Sequence, residues 1–289
     1  MTWLGVLIAF AAAFANAVAI ILQASEARAT PLEESARFAL IVRLLRRPRW
    51  LLGTALVMIA WPLQVLALAF APITVVQPVL ACFQLILLAL ARFWQRERVN
   101  RVEVLAAVAI VTGVSLVIAA APRHTIVHPP ASRLAPPLAV VGLAALFVYG
   151  VSRLRGRRGL WLALGAGLGY AWVDFADKLL SNALAAGRWL PAVIWLAAVV
   201  AFGAIAFVQE NSALQRRSPV LVAPVIGAVQ EPLPVLMALW GGVEAWTGGA
   251  GQAAALAAGL ALVGAGAVAI SRSPSILRLT GTSAAPGTA

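Results

Sequence analysis

The sequence predicts an all-α polytopic membrane protein of about nine transmembrane helices, arranged as two inverted repeats of four around a linking helix. Of its 289 residues, 62% are hydrophobic and only 11% are charged, which leaves too few polar side chains to cover a soluble domain of this size. The apolar runs approach or exceed the roughly 18 residues that cross a hydrocarbon core of about 30 Å. The third observation is a degenerate internal repeat.

Each apolar run is predicted as a helix, because backbone groups in lipid must be hydrogen-bonded within the protein and the runs lack the alternation of barrel strands. The predicted spans are residues 3–22, 51–71, 73–94, 102–121, 137–152, 160–182, 190–208, 219–240 and 252–271. Residues 36–50 mix an apolar stripe with five arginines and are predicted to lie at the interface or to form a short, incomplete helix. The small and polar residues 273–289 are predicted to be disordered.

The positive charge indicates an orientation in the membrane. The net charge is +12, and with nine spans 18 of the 22 Lys and Arg residues fall on one side of the bilayer. This positive-inside pattern predicts a multi-pass protein of the cell membrane with a cytoplasmic C-terminus and an external N-terminus. Arginines at span ends favour lipid headgroups as partners and argue against nucleic acid. A homodimer is left open.

Sliding the chain by 146 residues aligns its two halves. The shift places Gln64 on Glu210, Pro78 on Pro224, and Gln84 on Gln230. Because the displacement covers five spans, an odd number, the second copy is predicted to run in the opposite direction, as in many secondary transporters. The predicted units are a first repeat at 1–122, a loop, linking helix and basic loop at 123–158, and a second repeat at 159–272.

The segments that carry the repeat resemble a known family. "WLLGTALVMIAWPLQVLALAFAPITVVQPVL", followed by "RERV" and "AAVAIVTGVSLVIAAAP", resembles the first half of EamA-like proteins of the drug/metabolite transporter (DMT) superfamily. "FVQENSALQRRSPVLVAPVIGAVQEPLPVLMALW" resembles the matching second half. The similarity covers nearly all of residues 1–272 and is nearest to the nine-span branch that includes the NIPA-type magnesium transporters. It implies a compact bundle with the substrate path between the halves.

Polar residues inside the spans are the candidates for that path. A charge near the bilayer centre costs about 2.5 to 3.5 kcal/mol on insertion scales and therefore should face a cavity or a partner. The candidate residues of the substrate or ion path are Asp174, Asp177, Lys178, Gln64, Gln77, Pro78, Gln84, Glu210, Asn211, Pro224, Gln230 and Glu231. No residue is assigned as a metal ligand.

The charged residues of the sixth span are assigned different roles. Asp174 and Lys178 are four residues apart and share a helix face, so they are expected to form a neutralising pair unless the path uses them. Asp177 has no local partner and is the best candidate for a proton- or cation-coupled carboxylate. Glu210 is expected near a membrane surface, and Glu244 is expected to cap a short turn.

The prolines and aromatic residues of the spans are open to two interpretations. Pro78 and Pro224 each remove one helical hydrogen bond, so they either expose carbonyl groups to a substrate beside the neighbouring glutamines or simply kink their helices. Trp61 and Trp172 lie in mid-span and either line a cavity or pack.

Three functions remain. The leading prediction is an ion-coupled secondary permease for a small solute or metabolite. The alternative is a NIPA-like Mg²⁺ transporter, which would require the acids Asp174, Asp177, Glu210 and Glu231 to converge. A third is a non-transporting membrane subunit of an envelope complex. We expect no enzymatic activity and no cofactor, because the chain has neither a GxxxxGK[ST] loop nor a hydrolytic cluster of serine, histidine and acid.

Overall fold

The computed structural model describes residues 2–28, 42, 44–95, 100–121, 126–155, 159–216, 219–244 and 248–271. Within these residues all regular structure is helical, which confirms the all-α prediction. The helices are α1 Thr2–Arg28, α2 Pro48–Phe70, α3 Ile73–Leu80, α4 Phe83–Gln95, α5 Arg101–Ala120, α6 Ala131–Arg155, α7 Gly159–Ala185, α8 Trp189–Arg216, α9 Pro219–Gln230, α10 Pro232–Trp240 and α11 Ala250–Ser271. Residues 36–41 and 43 of the predicted interfacial segment and the whole predicted tail 273–289 lie outside the described residues.

Seven segments of the described chain are long and apolar enough to cross a membrane. They are α1, α2, the combined α3 and α4, α5, α6, α8 and α11. The chain is therefore a multi-pass membrane protein. The other two predicted spans have a different character: 160–182 corresponds to α7, which carries three charged residues, and 219–240 consists of the two shorter helices α9 and α10.

Several helices extend beyond their predicted bounds. Helix α8 continues to Arg216, eight residues past the predicted end at 208. Glu210 and Asn211 consequently lie within this helix, beyond the predicted end of the seventh span. The helix can continue through these polar residues because their side chains find partners in the protein: the Asn211 Nδ2 group donates to the Phe207 carbonyl at 3.0 Å.

Two of the predicted spans are broken at comparable places. The first break, between α3 and α4, lies at Ala81 and Cys82, where the Cys82 amide donates to the carbonyl three residues earlier at 3.0 Å. The second, between α9 and α10, lies at Glu231. Pro232 and Pro234 lack backbone N–H groups, so an uninterrupted α-helical hydrogen-bond pattern is impossible here.

Helix α7 lies at the centre of the bundle. It packs against α2, α6, α8, α9 and α10, and most of its side chains are buried. Helices α1 and α2 form one close pair, α7 and α8 a second, and α5 and α11 a third. Because α7 touches helices of both halves of the chain, its polar side chains determine the chemistry at their junction.

Glycines permit the close contact of α5 with α11. A Cβ atom added at Gly113 would lie 2.6 Å from the Gly259 carbonyl oxygen and 2.8 Å from Val263, whereas a Cβ at Gly259 would lie 2.8 Å from the Gly113 carbonyl oxygen and 2.7 Å from Val117. Only a residue without a side chain allows two helix backbones to approach this closely.

Two helix pairs run antiparallel. In the α5–α11 pair, Gly266 near the end of α11 contacts Ala106 near the start of α5. In the α2–α8 pair, Trp50 at the start of α2 donates its Nε1–H to Asn211 near the end of α8 at 3.4 Å. At the other end of the same pair, Val65 packs into one cluster with Ala192 of α8.

Candidate functional site

The Asp174 carboxylate joins three helices. It accepts hydrogen bonds from Gln64 Nε2 of α2 at 2.8 Å and from Gln230 Nε2 at the end of α9 at 3.1 Å. Asp174 is only 4% exposed, so these two amides supply the hydrogen bonds that water would otherwise provide. The Gln77 side chain of α3 also interacts with this carboxylate, although its Nε2 makes no hydrogen bond of normal geometry in the described part of the chain.

Asp177, one turn further along α7, is fully buried. Both of its carboxylate oxygens accept from the Trp61 indole Nε1, at 3.0 and 3.1 Å. A single N–H thus serves two oxygens that together have about four acceptor positions. Sequence reasoning placed Trp61 in mid-span but did not connect it with Asp177.

Lys178 does not form the expected pair with Asp174. Its Nζ group donates to the Leu68 carbonyl at 3.2 Å and lies 4.0 Å from Glu244 Oε1. The Leu68 carbonyl is free to accept because the residue four positions later is Pro72, which has no N–H. The glutamine amides meanwhile satisfy Asp174, so the two charges of α7 have separate partners.

Glu244 is the second residue that sequence reasoning underestimated. Its carboxylate accepts from the backbone N–H groups of Ile73 and Thr74, the latter at 3.4 Å, and so caps the start of α3. Pro72, at the N-cap position, makes no side-chain cap of its own. Burial raises the pKa of Glu244, and Lys178 and the two N–H groups act in the opposite direction. Glu244 therefore caps a helix from a distant part of the chain, whereas the sequence predicted that it would cap a short turn.

A cavity of about 310 Å³ adjoins the second helix break, at Glu231. Its walls include Pro78 of α3, Gly227 and Ala228 of α9, Glu231 at the second break, and residues of α11 such as Gly264. The Oε2 atom of Glu231 is buried and has no hydrogen-bond partner among the described residues. This cavity brings two of the sequence-predicted residues, Pro78 and Glu231, to one place.

The remaining predicted residues lie apart from this cavity or outside the description. Glu210 accepts from the Tyr170 hydroxyl at 2.6 Å, and Asn211 bonds to Trp50. The backbones of Gln84 and Pro224 belong to α4 and α9, respectively, but the side chains of both residues lie outside the described part of the structure.

Of the two mid-span tryptophans, Trp172 packs. It stacks on Phe202 with ring centroids 4.0 Å apart and donates its Nε1–H to the Leu138 carbonyl at 3.0 Å. These contacts connect α7 with α8 and α6, so Trp172 is a packing residue. Trp61, in contrast, is the hydrogen-bond partner of the buried Asp177 carboxylate.

Replacing Trp61 with phenylalanine tests the Asp177 contact. The variant Trp61→Phe keeps an aromatic ring but removes the indole N–H, leaving the buried carboxylate without its donor at a cost of about 1 to 3 kcal/mol. Thermal unfolding of the purified protein in nanodiscs is expected to show a lower midpoint. Trp189→Phe is the matched control, because Trp189 is 71% exposed; equal midpoints for both variants would contradict the assignment.

A bundle of apolar helices around one buried, charged helix defines the class of this chain as a multi-pass α-helical membrane protein. No family model matches the sequence, and no solved structure matches the fold. Over 144 residues the chain is 33% identical to an uncharacterized protein of Corynebacterium glutamicum. The match covers 50% of this chain and 50% of the relative, so the chain spans about half the length of the curated relative that it matches.

Proposed function

We propose that the protein is a secondary transporter of the EamA-like DMT type, which moves a small solute or metabolite by alternating access and couples this movement to an ion. The observation that carries the proposal is the buried Asp174 carboxylate, held by one amide from α2 and one from α9. A buried ionisable group within a membrane protein indicates a substrate or ion path. Its two donors come from opposite halves of the chain.

The proposal includes two inverted repeats, α1 to α5 and α7 to α11, around the linking helix α6. The crossing of α5 with α11 supports it. Gly113 and Gly259 are 146 residues apart, and so are Val117 and Val263. Each glycine contacts the other glycine and the valine that follows on the partner helix, a reciprocal contact expected where two equivalent surfaces meet across a twofold axis.

Further features favour opposite orientations of the two halves. The α2–α8 and α5–α11 pairs are equivalent under the same shift and are antiparallel. Both repeats also contain a broken helix, interrupted at Cys82 and at Glu231. In the proposed nine-span topology α7 crosses the bilayer despite its charges, because its 27 residues extend about 40 Å and its polar groups face protein.

Alternating access would change the hydrogen bonds that the Asp174 carboxylate accepts from the side-chain amides of Gln64 and Gln230. If the halves rock against each other, the carboxylate loses Gln64 or Gln230 and gains access to water on one side. An ionised carboxylate with one donor is unfavourable in a dry site, whereas a protonated or cation-paired carboxylate returns there at lower cost. Neutralising Asp174 would therefore permit the return step and couple the ion to the solute.

The arrangement of the acids favours an organic solute over Mg²⁺. The magnesium alternative requires four acids to converge, but Asp177 is bound to Trp61 and Glu210 to Tyr170. Among the described residues no three His, Cys, Asp or Glu side chains gather closely enough to hold a metal ion, whereas Mg²⁺ needs an octahedral shell of oxygen ligands. The polar junction and the cavity favour a transporter over a non-transporting subunit.

Solute uptake into proteoliposomes tests this function. Purified protein would be supplied with amines, amino acids, nucleosides and Mg²⁺, with and without a pH gradient. We expect gradient-dependent uptake of an organic solute, reduced at least about tenfold by Asp174→Asn because the amide cannot titrate. Glu26→Gln is the control, since Glu26 pairs with Arg47 at the end of α1. Failure of the whole panel would favour the subunit function, and Mg²⁺ flux lost in Asp177→Asn would favour the cation transporter.

A further inference from the structure

The described lining of the cavity beside Glu231 contains hydrogen-bond acceptors but no side-chain donors. Its described lining residues are proline, glycine, alanine, leucine and valine, apart from Glu231 itself. The buried Oε2 of Glu231 has no partner among the described residues. Pro232 has no N–H to donate to the Ala228 carbonyl four residues earlier, and Ala228 also lines the cavity. A ligand here must therefore supply the donors.

Burial and the nearby Asp174 carboxylate make a negative charge on Glu231 costly unless a cation offsets it. Glu231 is the N-cap residue of α10, and its side chain makes no capping hydrogen bond. Lys178, the buried cation of the bundle centre, is already held by Leu68 and Glu244. The Glu231 carboxylate thus lacks a counter-charge in the described chain.

The size and the walls of the cavity limit what its ligand can be. Its volume of about 310 Å³ is at the lower end for small-molecule sites. One carboxylate among aliphatic walls cannot provide the oxygen shell that a divalent metal ion requires. A compact organic ammonium ion satisfies both features, since its N–H groups can donate to Glu231 and its apolar body can contact α11.

We propose that this cavity binds a small organic monocation with an apolar body, with Glu231 as its charge partner. The inference rests on the proposed transport function, for which it names the substrate class. The apolar wall of α11 would contribute contact area without charge selectivity. Glu231 would distinguish ammonium ions from neutral and anionic molecules of the same shape, because burial strengthens charge-assisted hydrogen bonds.

Equilibrium binding of radiolabelled 2-phenylethylammonium to the full chain in nanodiscs tests the site. The competitors are 2-phenylethanol, which is neutral, and 3-phenylpropionate, which is anionic; all three have similar shapes. We expect saturable binding at millimolar or lower concentration, displaced at least about tenfold better by unlabelled ammonium than by either competitor. Glu231→Gln is expected to weaken binding at least about tenfold, and Glu26→Gln to leave it unchanged.

A second variant fills the cavity without altering charge. A Cβ atom at Gly264 would meet no atom within 4 Å, so the side chain of Gly264→Leu can occupy the cavity and exclude the ligand. Gly251→Leu is the matched control, because Gly251 is an exposed residue of the same helix and its Cβ would also meet open space. Elution volume and thermal unfolding would verify that each variant is folded.

The outcomes separate this site from the transport function. Equal binding of ammonium and alcohol, no saturable binding at millimolar concentration, or binding retained in both Glu231→Gln and Gly264→Leu would overturn the site. Selective binding without uptake of any solute would refute the transporter and leave the site. Uptake that neither variant affects would refute the site and leave the transporter.

Discussion

Gly113→Val is expected to lower the stability of the protein by about 3 kcal/mol, the upper end of the range for overpacked interiors. The valine Cβ would lie 2.6 Å from a backbone oxygen of Gly259 and 2.9 Å from the backbone nitrogen of Val263. A rotamer change cannot relieve a clash between Cβ and backbone, so α5 and α11 would have to separate. Thermal unfolding in nanodiscs, followed by tryptophan fluorescence, measures the loss.

The reciprocal position provides a second measurement. Gly259→Val should destabilise the protein to a similar extent, since its Cβ would lie 2.8 Å from the Gly113 carbonyl oxygen. Gly251→Val is the control, because it adds the same side chain to α11 in open space. If Gly113→Val unfolds at the temperature of the control, the close contact of α5 and α11 does not exist.

Lys178→Met is expected to destabilise the protein by about 3 to 5 kcal/mol, the usual effect of removing one partner of a buried ion pair. Lys178 is fully buried, and its removal leaves the Glu244 carboxylate without a nearby cation and the Leu68 carbonyl without a donor. Thermal unfolding of the purified variant in nanodiscs measures this loss. Methionine has nearly the same length as the lysine stem, so the lost charge dominates over any change in packing.

Glu244→Gln completes a double-mutant cycle for this pair. A glutamine oxygen can still accept from Ile73 or Thr74 at the start of α3, but it carries no charge. The double variant Lys178→Met/Glu244→Gln contains no unpaired charge and should lose less stability than the sum of the two single variants. Strict additivity would show that Lys178 and Glu244 do not interact, despite their separation of 4.0 Å.

The polar residues of α7 show how far sequence reasoning reaches. The cost of a charge in lipid was sufficient to identify Asp174, Asp177 and Lys178 as buried side chains that require partners. The i, i+4 rule then predicted the wrong partner for Lys178, because this rule considers only the helix itself. Pro72 contained a usable signal, since it frees the Leu68 carbonyl, but periodicity does not indicate which donor will reach that carbonyl.

Trp61 illustrates what the sequence leaves open. Its indole and the Asp177 carboxylate are separated by 116 residues, and no local pattern connects them. The break at Glu231 is a contrasting case: Pro232 and Pro234, which follow it, predict an interruption from covalent structure alone. That the Glu231 carboxylate lines a cavity together with Pro78 depends on how α3, α9 and α11 are placed relative to one another.

The sequence by itself determined that this chain is a helical membrane protein, because hydrophobic composition and the need to satisfy backbone hydrogen bonds in lipid allow few other structures. It also determined which residues are too polar to face lipid. Only the tertiary structure decided how these residues pair, as with Asp174 between Gln64 and Gln230. The donor–acceptor distance of a hydrogen bond varies by only a few tenths of an ångström. The helix positions that bring donors and acceptors within this range follow from the packing of the whole bundle.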